Sequence, residues 1–343
     1  MGKKPTGKQA KGKQAAGARP GRGARRVWAR RVLAGLCALV LVPSAVLAVV
    51  RAGDWDDGTT LALPMVLLPY AAAATLLALL VLLALRSWWA AGAAALLAVV
   101  QLCWLVPRFV PEGGAVAADA PRLRVATSNA YMGQVDGAAL VRLVREQRVD
   151  VLALEEFWGA APAALDRAGI AELLPYREVR PGRDTVIYSR LPLTPLDASV
   201  PEAVRAQVAA EVTVGGRAVR LTAVHTYYPL GDAKRWGEDF AALRAAAAGA
   251  GRNAVFLGDF NATLDHAPMR SLLATGLTDT HAELGRGASP TWPEGNADFP
   301  YLPPMIQIDH VLHGDALTAV SVAEHPVQGA DHRAVVAELA VTG

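Results

Sequence analysis

Cysteine is nearly absent from this chain, with Cys37 and Cys103 the only two in 343 residues. Both fall inside uncharged apolar runs, so neither a disulfide framework nor a thiolate metal site is available to the rest of the sequence. Lysine is as scarce beyond the N-terminal region: after residue 121 only Lys234 remains. From there to the end, 20 Lys and Arg stand against 26 Asp and Glu. A region with that balance lacks the basic surface with which nucleic-acid-binding proteins neutralise phosphates. Acidic residues are missing in turn from everything before Asp54. Charge of either sign is absent from three long stretches, residues 32–50, 61–85 and 88–106.

These absences divide the chain. Residues 1–31 carry lysines, arginines, glycine and glutamine with little apolar surface, which predicts a disordered basic tail. The three uncharged stretches each approach or exceed the roughly 18 to 20 residues that cross a bilayer, and predict three transmembrane helices within residues 32–107. Arg51, Arg86 and Arg108 stand only at their edges, and Tyr70, Trp88, Trp89 and Trp104 lie near the ends, where amphipathic rings favour the interface. A basic tail held in the cytoplasm and three crossings would set everything after residue 107 outside the cell membrane. A linker at 108–121, rich in Pro, Gly and Ala, would lead to a domain at 122–343.

That last segment alternates strand-like and helix-like patterns. "RLRVATSNA", "VDVLALEEF", "DTVIYSR", "AQVAAEVTV", "RAVRLTAVHTY", "AVFLGDFNAT", "QIDHVLHG", "LTAVSVAEH" and "HRAVVAELAV" read as strands. Residues 137–148, 160–173 and 232–248 read as helices, with shorter helical material at 268–274. Paired strands with helices between them predict an α+β domain of packed sheets covered by helices.

Several apolar strands end in a small polar cluster: Asn129, Glu156, His225, and Asp259 with Asn261; Asp309 and His332 bracket the C-terminal group. Side chains two apart in a strand share a face, so Asp259 and Asn261 could reach one ligand, although Gly, Asp and Asn are also ordinary turn residues. Strand ends facing one edge of a sandwich would gather these oxygens and imidazoles in one cleft.

The segments "SNAYMG", "LALEEF", "AVHTYYP", "FLGDFNAT", "TWP", "IDHVL" and "ADHRAVV", in this order, resemble the endonuclease/exonuclease/phosphatase superfamily, the deoxyribonuclease I-like fold. The resemblance runs over roughly residues 123–339. It implies a two-sheet β-sandwich flanked by helices, here preceded by three transmembrane helices, and hydrolysis of phosphate esters with Mg2+ or Mn2+. By that resemblance Glu156 is the main metal ligand, assisted by Asn129 and Asp331. Asp259 aligns or deprotonates the attacking water, and Asn261 holds the phosphate or that water. His332, oriented by Asp309, neutralises phosphoryl oxygens, and His225 is a second phosphate-binding histidine. The chemistry suits these residue types, because Mg2+ prefers carboxylate oxygens and cationic imidazoles stabilise a phosphoryl transition state.

Competing readings stand beside these. Asn129 could cap a turn. Glu155 competes with Glu156, but successive strand residues face opposite sides and the family places glutamine before its glutamate, which favours Glu156. His266, His281, His310, His313 and His325 read as structural, and Trp292 as a packing residue. Tyr227 and Tyr228 could line a groove or cover the core. Tyr131 stands where many relatives, particularly the abasic-site nucleases, have an acidic residue. The expected activity is that of a membrane-tethered phosphodiesterase, its substrate a phospholipid head group, a small phosphorylated molecule or nucleic acid, with no specific DNA partner. The alternatives are a non-specific extracellular nuclease of the same fold, or a catalytically silent scaffold or receptor.

Overall fold

The alternation read in the strands has a direct structural counterpart. In the computed structural model, which describes Gly2 and residues 22–114, 116–196, 207–297 and 299–343, the segment after residue 121 forms two six-stranded sheets. The first has the order β11-β12-β1-β2-β4-β3, from β1 (Arg122–Asn129), β2 (Val151–Glu155), β3 (Tyr176–Val179), β4 (Val186–Ser189), β11 (Leu317–Pro326) and β12 (Arg333–Val341). The second has the order β5-β6-β7-β8-β10-β9, from β5 (Thr194–Leu196), β6 (Val208–Val214), β7 (Arg217–His225), β8 (Ala254–Asp259), β9 (Leu277–Asp279) and β10 (Asp309–Gly314). β1 and β2 pair in parallel, as do β7 and β8, while the other neighbours are antiparallel.

Period-two patterning decides which side chains fill the space between the sheets. Leu123 and Val125 of β1, Val151 and Ala153 of β2, Leu221 and Ala223 of β7, Val255 and Leu257 of β8, and Val311 of β10 all lie in one buried core. The outer face of the first sheet is covered by α5 (Gly137–Glu146), α6 (Ala161–Ala168) and α7 (Ile170–Leu173). The single helix expected at 160–173 is broken at Gly169, which takes a left-handed conformation (φ 84°) and ends α6. The outer face of the second sheet is covered by α8 (Pro229–Ala248) and α9 (Ala267–Leu273), and the one-turn α10 (Thr280–Glu283) follows β9. The short edge strands β3, β5 and β9 carry too few residues to show a period, and the sequence reading passes over them.

Ahead of this sandwich stand α1 (Arg22–Ala52), the one-turn α2 (Ala62–Met65), α3 (Leu68–Ala84) and α4 (Trp88–Leu105). Among the described residues two helices, Arg25–Ala52 and Trp88–Phe109, are long and apolar enough to cross a membrane. The continuous span expected at 61–85 is instead interrupted between α2 and α3, with Pro69 at the start of α3, and leaves a 17-residue apolar helix. Arg22–Ala52 is helical, so residues 22–31 are not part of a disordered tail; residue 1 and residues 3–21 lie outside the described residues. Ala72, Ala78, Ala91, Ala94 and Ala98 are buried, while Leu39, Leu77 and Leu96 are 72%, 64% and 68% exposed. Small residues at these buried positions let the helices approach one another closely.

The helical unit is joined to the sandwich by more than the linker. Asp265, fully buried, accepts hydrogen bonds from Arg108 at 2.6 Å and from Arg51 at 3.2 Å. Burial alone would raise the Asp265 carboxyl, but Arg108 and then Arg51 overcome it and hold it below the ordinary carboxylate value. Asp56 accepts from the Ala267 amide at 2.8 Å, the His266 ring meets the Ala62 carbonyl at 3.0 Å, and Ala62 belongs to the core beneath α8 and α9. The segment expected as a free linker packs too: Glu112 donates its amide to the Glu283 carbonyl at 2.9 Å.

Candidate active site

The inner stripe of each strand turns polar at one end of the sandwich. In β1 the series Leu123, Val125 continues to Thr127 and Asn129; in β2, Val151, Ala153 to Glu155; in β7, Leu221, Ala223 to His225; in β8, Val255, Leu257 to Asp259. Register then sets these ends side by side, since His225 pairs with Asp259, Asp259 with Asp309, and Asn129 with Glu155. β8 lies this close to β7 because of Gly258. A Cβ there would fall 1.9 Å from the Val224 carbonyl, and its φ of 151° is one that L residues rarely adopt.

All eight residues singled out in the sequence meet here. His332 Nδ1 lies 2.9 Å from Asp309 Oδ2, and its Nε2 faces Asp259 Oδ2 at 4.0 Å and Asp331 Oδ1 at 3.9 Å. His225 Nε2 faces Asp259 Oδ2 and Glu156 Oε1, each at 3.9 Å. Asn129 donates from its amide to Asp259 Oδ2 at 3.1 Å and accepts from the Tyr131 amide at 2.9 Å. The Asn261 backbone amide donates to Asp259 Oδ1 at 2.8 Å, and its side-chain amide reaches Asp259 Oδ2 and the Thr226 carbonyl at 3.3 Å. Asp259 and Asn261 are therefore neighbours by a turn, not by strand alternation: β8 ends at Asp259, and Asn261 is left-handed (φ 47°).

The same correction applies to the paired glutamates. β2 ends at Glu155 and Glu156 takes φ 52°, so the alternation expected to send them to opposite faces stops between them. Glu155 continues the inner stripe, fully buried, with Thr127 donating to its Oε1 at 2.8 Å. Burial pushes its carboxyl well above the ordinary value, against that Thr127 bond. Glu156 leaves the strand, accepts from the Met132 amide at 2.6 Å through Oε2, and keeps Oε1 toward His225.

Electrostatics divide the remaining groups. Asp259 is raised to about 6, first by burial and also by Asp309, against the pull of His332 and His225. Burial opposes a charge on His332, but Asp309 and then Asp259 outweigh it and lift the imidazole to about 10. His332 is thus an imidazolium at neutral pH. Asp331 is raised by burial, with Glu156 adding to the effect.

Contacts the sequence did not announce complete the cluster. Asp184, opening the strand "DTVIYSR", lies 2.7 Å from His225 Nδ1 and orients that ring as Asp309 orients His332. An acidic residue at the head of an apolar strand was the one available signal, shared with Asp309 in "IDHVL". Asn296 donates to Asp331 Oδ2 at 2.6 Å, and Trp292 packs edge-on against Phe299 in the same loop, with ring centroids 5.4 Å apart. Thr291 Oγ1 accepts from the Ile308 and Asp309 amides at 3.2 and 3.3 Å, tying "TWP" to the start of β10. His310 points away from the cleft, bonded to Asp279 at 2.8 Å and to the Ala262 carbonyl at 2.9 Å, as expected of a structural histidine.

Among the described residues, Asp259, Asp309 and His332 place three ligand-type atoms within 4.8 Å of one another. Within this trio the flanking carboxylates of Asp309 and Asp259 favour the charged form of His332. The oxygens of Glu156, Asp331 and Asn129 are the ones chemically suited to a hard divalent ion, which takes carboxylate and amide oxygens. Asp309 Oδ1 is buried without a hydrogen-bond partner, so the cluster carries more acceptor capacity than the protein's own donors satisfy.

A two-sheet sandwich with parallel strand pairs at its centre and a carboxylate–imidazole cleft at one end defines a hydrolase of the deoxyribonuclease I-like class. The chain belongs to the endonuclease/exonuclease/phosphatase family, whose profile matches residues 126–332, more than half of its length. Solved structures share the fold. D. rerio TDP2 complexed with single strand DNA product is 19% identical, covering 64% of this chain and 98% of that one, with a TM-score of 0.50. A humanized D. rerio TDP2 is 18% identical, with the same coverage and TM-score. An endonuclease/exonuclease/phosphatase from Beutenbergia cavernae is 22% identical over 65% of this chain and 72% of that one, with a TM-score of 0.49. No curated protein matches at a significant level.

Proposed function

We propose that the protein is a membrane-anchored phosphohydrolase, a phosphodiesterase that hydrolyses phosphate esters by attack of water with the aid of a divalent cation, Mg2+ or Mn2+. The observation that carries this reading is the chain of contacts from Glu156 through His225, Asp259 and His332 to Asp331, each step 3.9 to 4.0 Å. Glu156, with Asn129 and Asp331, would hold the cation, which when bound withdraws charge from phosphate oxygens. Asp259 accepts a proton from the attacking water, its carboxylate aimed by Asn129 and Asn261. His332, charged and fixed by Asp309, offers its Nε2 proton to a phosphoryl oxygen. His225, fixed by Asp184, presents its Nε2 beside it. Such groups supply roughly 100-fold to 10,000-fold through proton transfer alone.

The organisation proposed is a basic tail, three spans at 32–107, a connecting segment at 108–121 and the catalytic domain at 122–343. α3, at about 25 Å for its 17 residues, is the short member and crosses with the help of α2. Arg30, at the basic end of α1, bonds to the Leu85 carbonyl at the end of α3, while Arg51 and Arg108 meet the sandwich. The N-terminal end of α1 and the catalytic domain therefore occupy opposite ends of the helical unit. This supports a cytoplasmic N-terminus and an extracellular catalytic domain.

Full-length protein should hydrolyse bis-p-nitrophenyl phosphate with Mg2+ or Mn2+ and stop with EDTA. Absence of turnover with every divalent metal would leave a scaffold or receptor. The domain's acidic balance and single lysine favour a lipid or small phosphorylated substrate over DNA. Protease added to whole cells should cleave the catalytic domain and spare the tail.

A further inference from the structure

Where the sandwich rests on the helical unit, the two enclose an apolar cavity of about 650 Å3. Val66, Leu76, Leu102 and Leu105 line it from the helices, and Leu264 and Ile306 from the catalytic domain. Its size lies within the roughly 300 to 1,000 Å3 of sites that hold small ligands. Leu264 comes three residues after Asn261, and Ile306 three before Asp309. The cavity is thus roofed by the two segments that carry Asn261 and Asp309, and walled by helices whose outer faces are built for lipid.

Its chemistry is one-sided. Among the described residues Arg108 is the cation in its lining, and that charge is bound by Asp265. Tyr70, also in the lining, donates its hydroxyl to the Met305 carbonyl at 2.6 Å and ties the segment before β10 to α3. The loop leading to Met305 exposes Phe299, Leu302 and, at 95%, Tyr301, while its Asn296 bonds to Asp331 in the catalytic cluster. A contiguous run of exposed large apolar residues beside membrane helices marks a surface that meets lipid, and aromatic rings favour that depth. The exposed apolar run meets the cavity at Met305, which belongs to its lining.

We propose that this cavity receives an acyl chain of a phosphate-bearing membrane lipid, so that the lipid's phosphate ester is drawn from the outer leaflet to the cluster around Asp259 and His332. The inference rests on the phosphohydrolase reading and assigns its substrate class. The protein is then a lipid phosphodiesterase whose own spans complete the substrate site. An apolar space walled by such helices suits hydrocarbon, because water there would lose hydrogen bonds.

The test uses the full-length protein in phosphatidylcholine nanodiscs carrying a trace of phosphatidylcholine with a diazirine at the end of one acyl chain. Irradiation should attach lipid to peptides containing Leu264 and Ile306, and Ala73→Trp and Ala288→Trp, which fill the cavity from either wall, should abolish those adducts. In parallel, hexadecyl and methyl p-nitrophenyl phosphate are compared as substrates. The long chain should raise kcat/KM at least about tenfold, because binding energy from the remote chain lowers the barrier from free enzyme and substrate, and both variants should erase that advantage while bis-p-nitrophenyl phosphate turnover stays unchanged. Adducts confined to the outward faces of α1, α3 and α4, crosslinks to a second copy of the chain across the cavity, or a chain-length advantage that survives both variants would each overturn the proposal. Failure of the wild type on all three esters, with adducts on Leu264 intact, would instead remove the hydrolase reading and leave a lipid-binding cavity.

Discussion

His225 takes its orientation from Asp184: Nδ1 and Oδ2 lie 2.7 Å apart across 41 residues of sequence. The pair repeats on one side of Asp259 what His332 and Asp309 form on the other. Asp184→Asn should lower kcat about 10-fold to 100-fold, the usual effect of removing a group that orients a functional histidine. His225→Ala should cost more. Equal rates for wild type and Asp184→Asn would show that His225 needs no such partner.

Asp259→Asn should reduce kcat by roughly 100-fold to 10,000-fold, as removal of a positioned base does. Its effect on the fold should have the opposite sense. The Asp259 pKa is raised from 3.8 to about 6, so the ionised carboxylate is disfavoured in the folded protein at neutral pH and its removal relieves the protein. Thermal unfolding at pH 7.5 should therefore occur no lower in the variant.

Rate against pH should give a broad bell in metal-limited buffer. The acid limb follows Asp259, which must lose its proton and does so as pH rises through about 6. The alkaline limb follows His332, which must keep its proton and loses it near 10. For stability the signs differ. His332 is raised above 6.5, so its stabilisation is complete below pH 6.5 and is lost as pH climbs toward 10. His332→Gln should remove the alkaline limb; a limb that persists would belong to another group.

Asp265→Ala should strip the counter-ion from Arg51 and Arg108, whose side chains are 9% and 11% exposed. Breaking a buried ion pair in this way costs on the order of 3–5 kcal/mol. Unfolding of the solubilised protein should shift down, and residues 110–121 should become sensitive to added protease. Unaltered melting and cleavage would mean that the catalytic domain holds its place by other contacts.

Gly258→Ala should yield little folded protein, because the added methyl would sit 1.9 Å from the Val224 carbonyl of a strand that cannot retreat. Expression and circular dichroism would report it directly.

Much of the site was legible because it obeys local rules. Asn129, His225 and Asp259 sit at the C-terminal ends of apolar strands and Asp309 at the head of one, and period-two alternation puts each on the inner face whatever the rest of the chain does. The helical unit was legible as uncharged runs. Local rules misjudged the places where a strand stops. Glu155 and Glu156 were set apart by alternation, yet the left-handed turn at Glu156 brings both toward the same end. Proline broke the middle apolar run into α2 and α3.

The sequence by itself determined the apolar helices, the strand pattern and the residue types of the catalytic cluster, since these depend on periodicity and composition over short windows. Tertiary structure alone decided that Asp184 faces His225, that Asn296 holds Asp331, and that Asp265 is clasped by arginines from two helices. These are side-chain contacts between segments tens to hundreds of residues apart. No local preference encodes them, because they exist only once the backbone has closed.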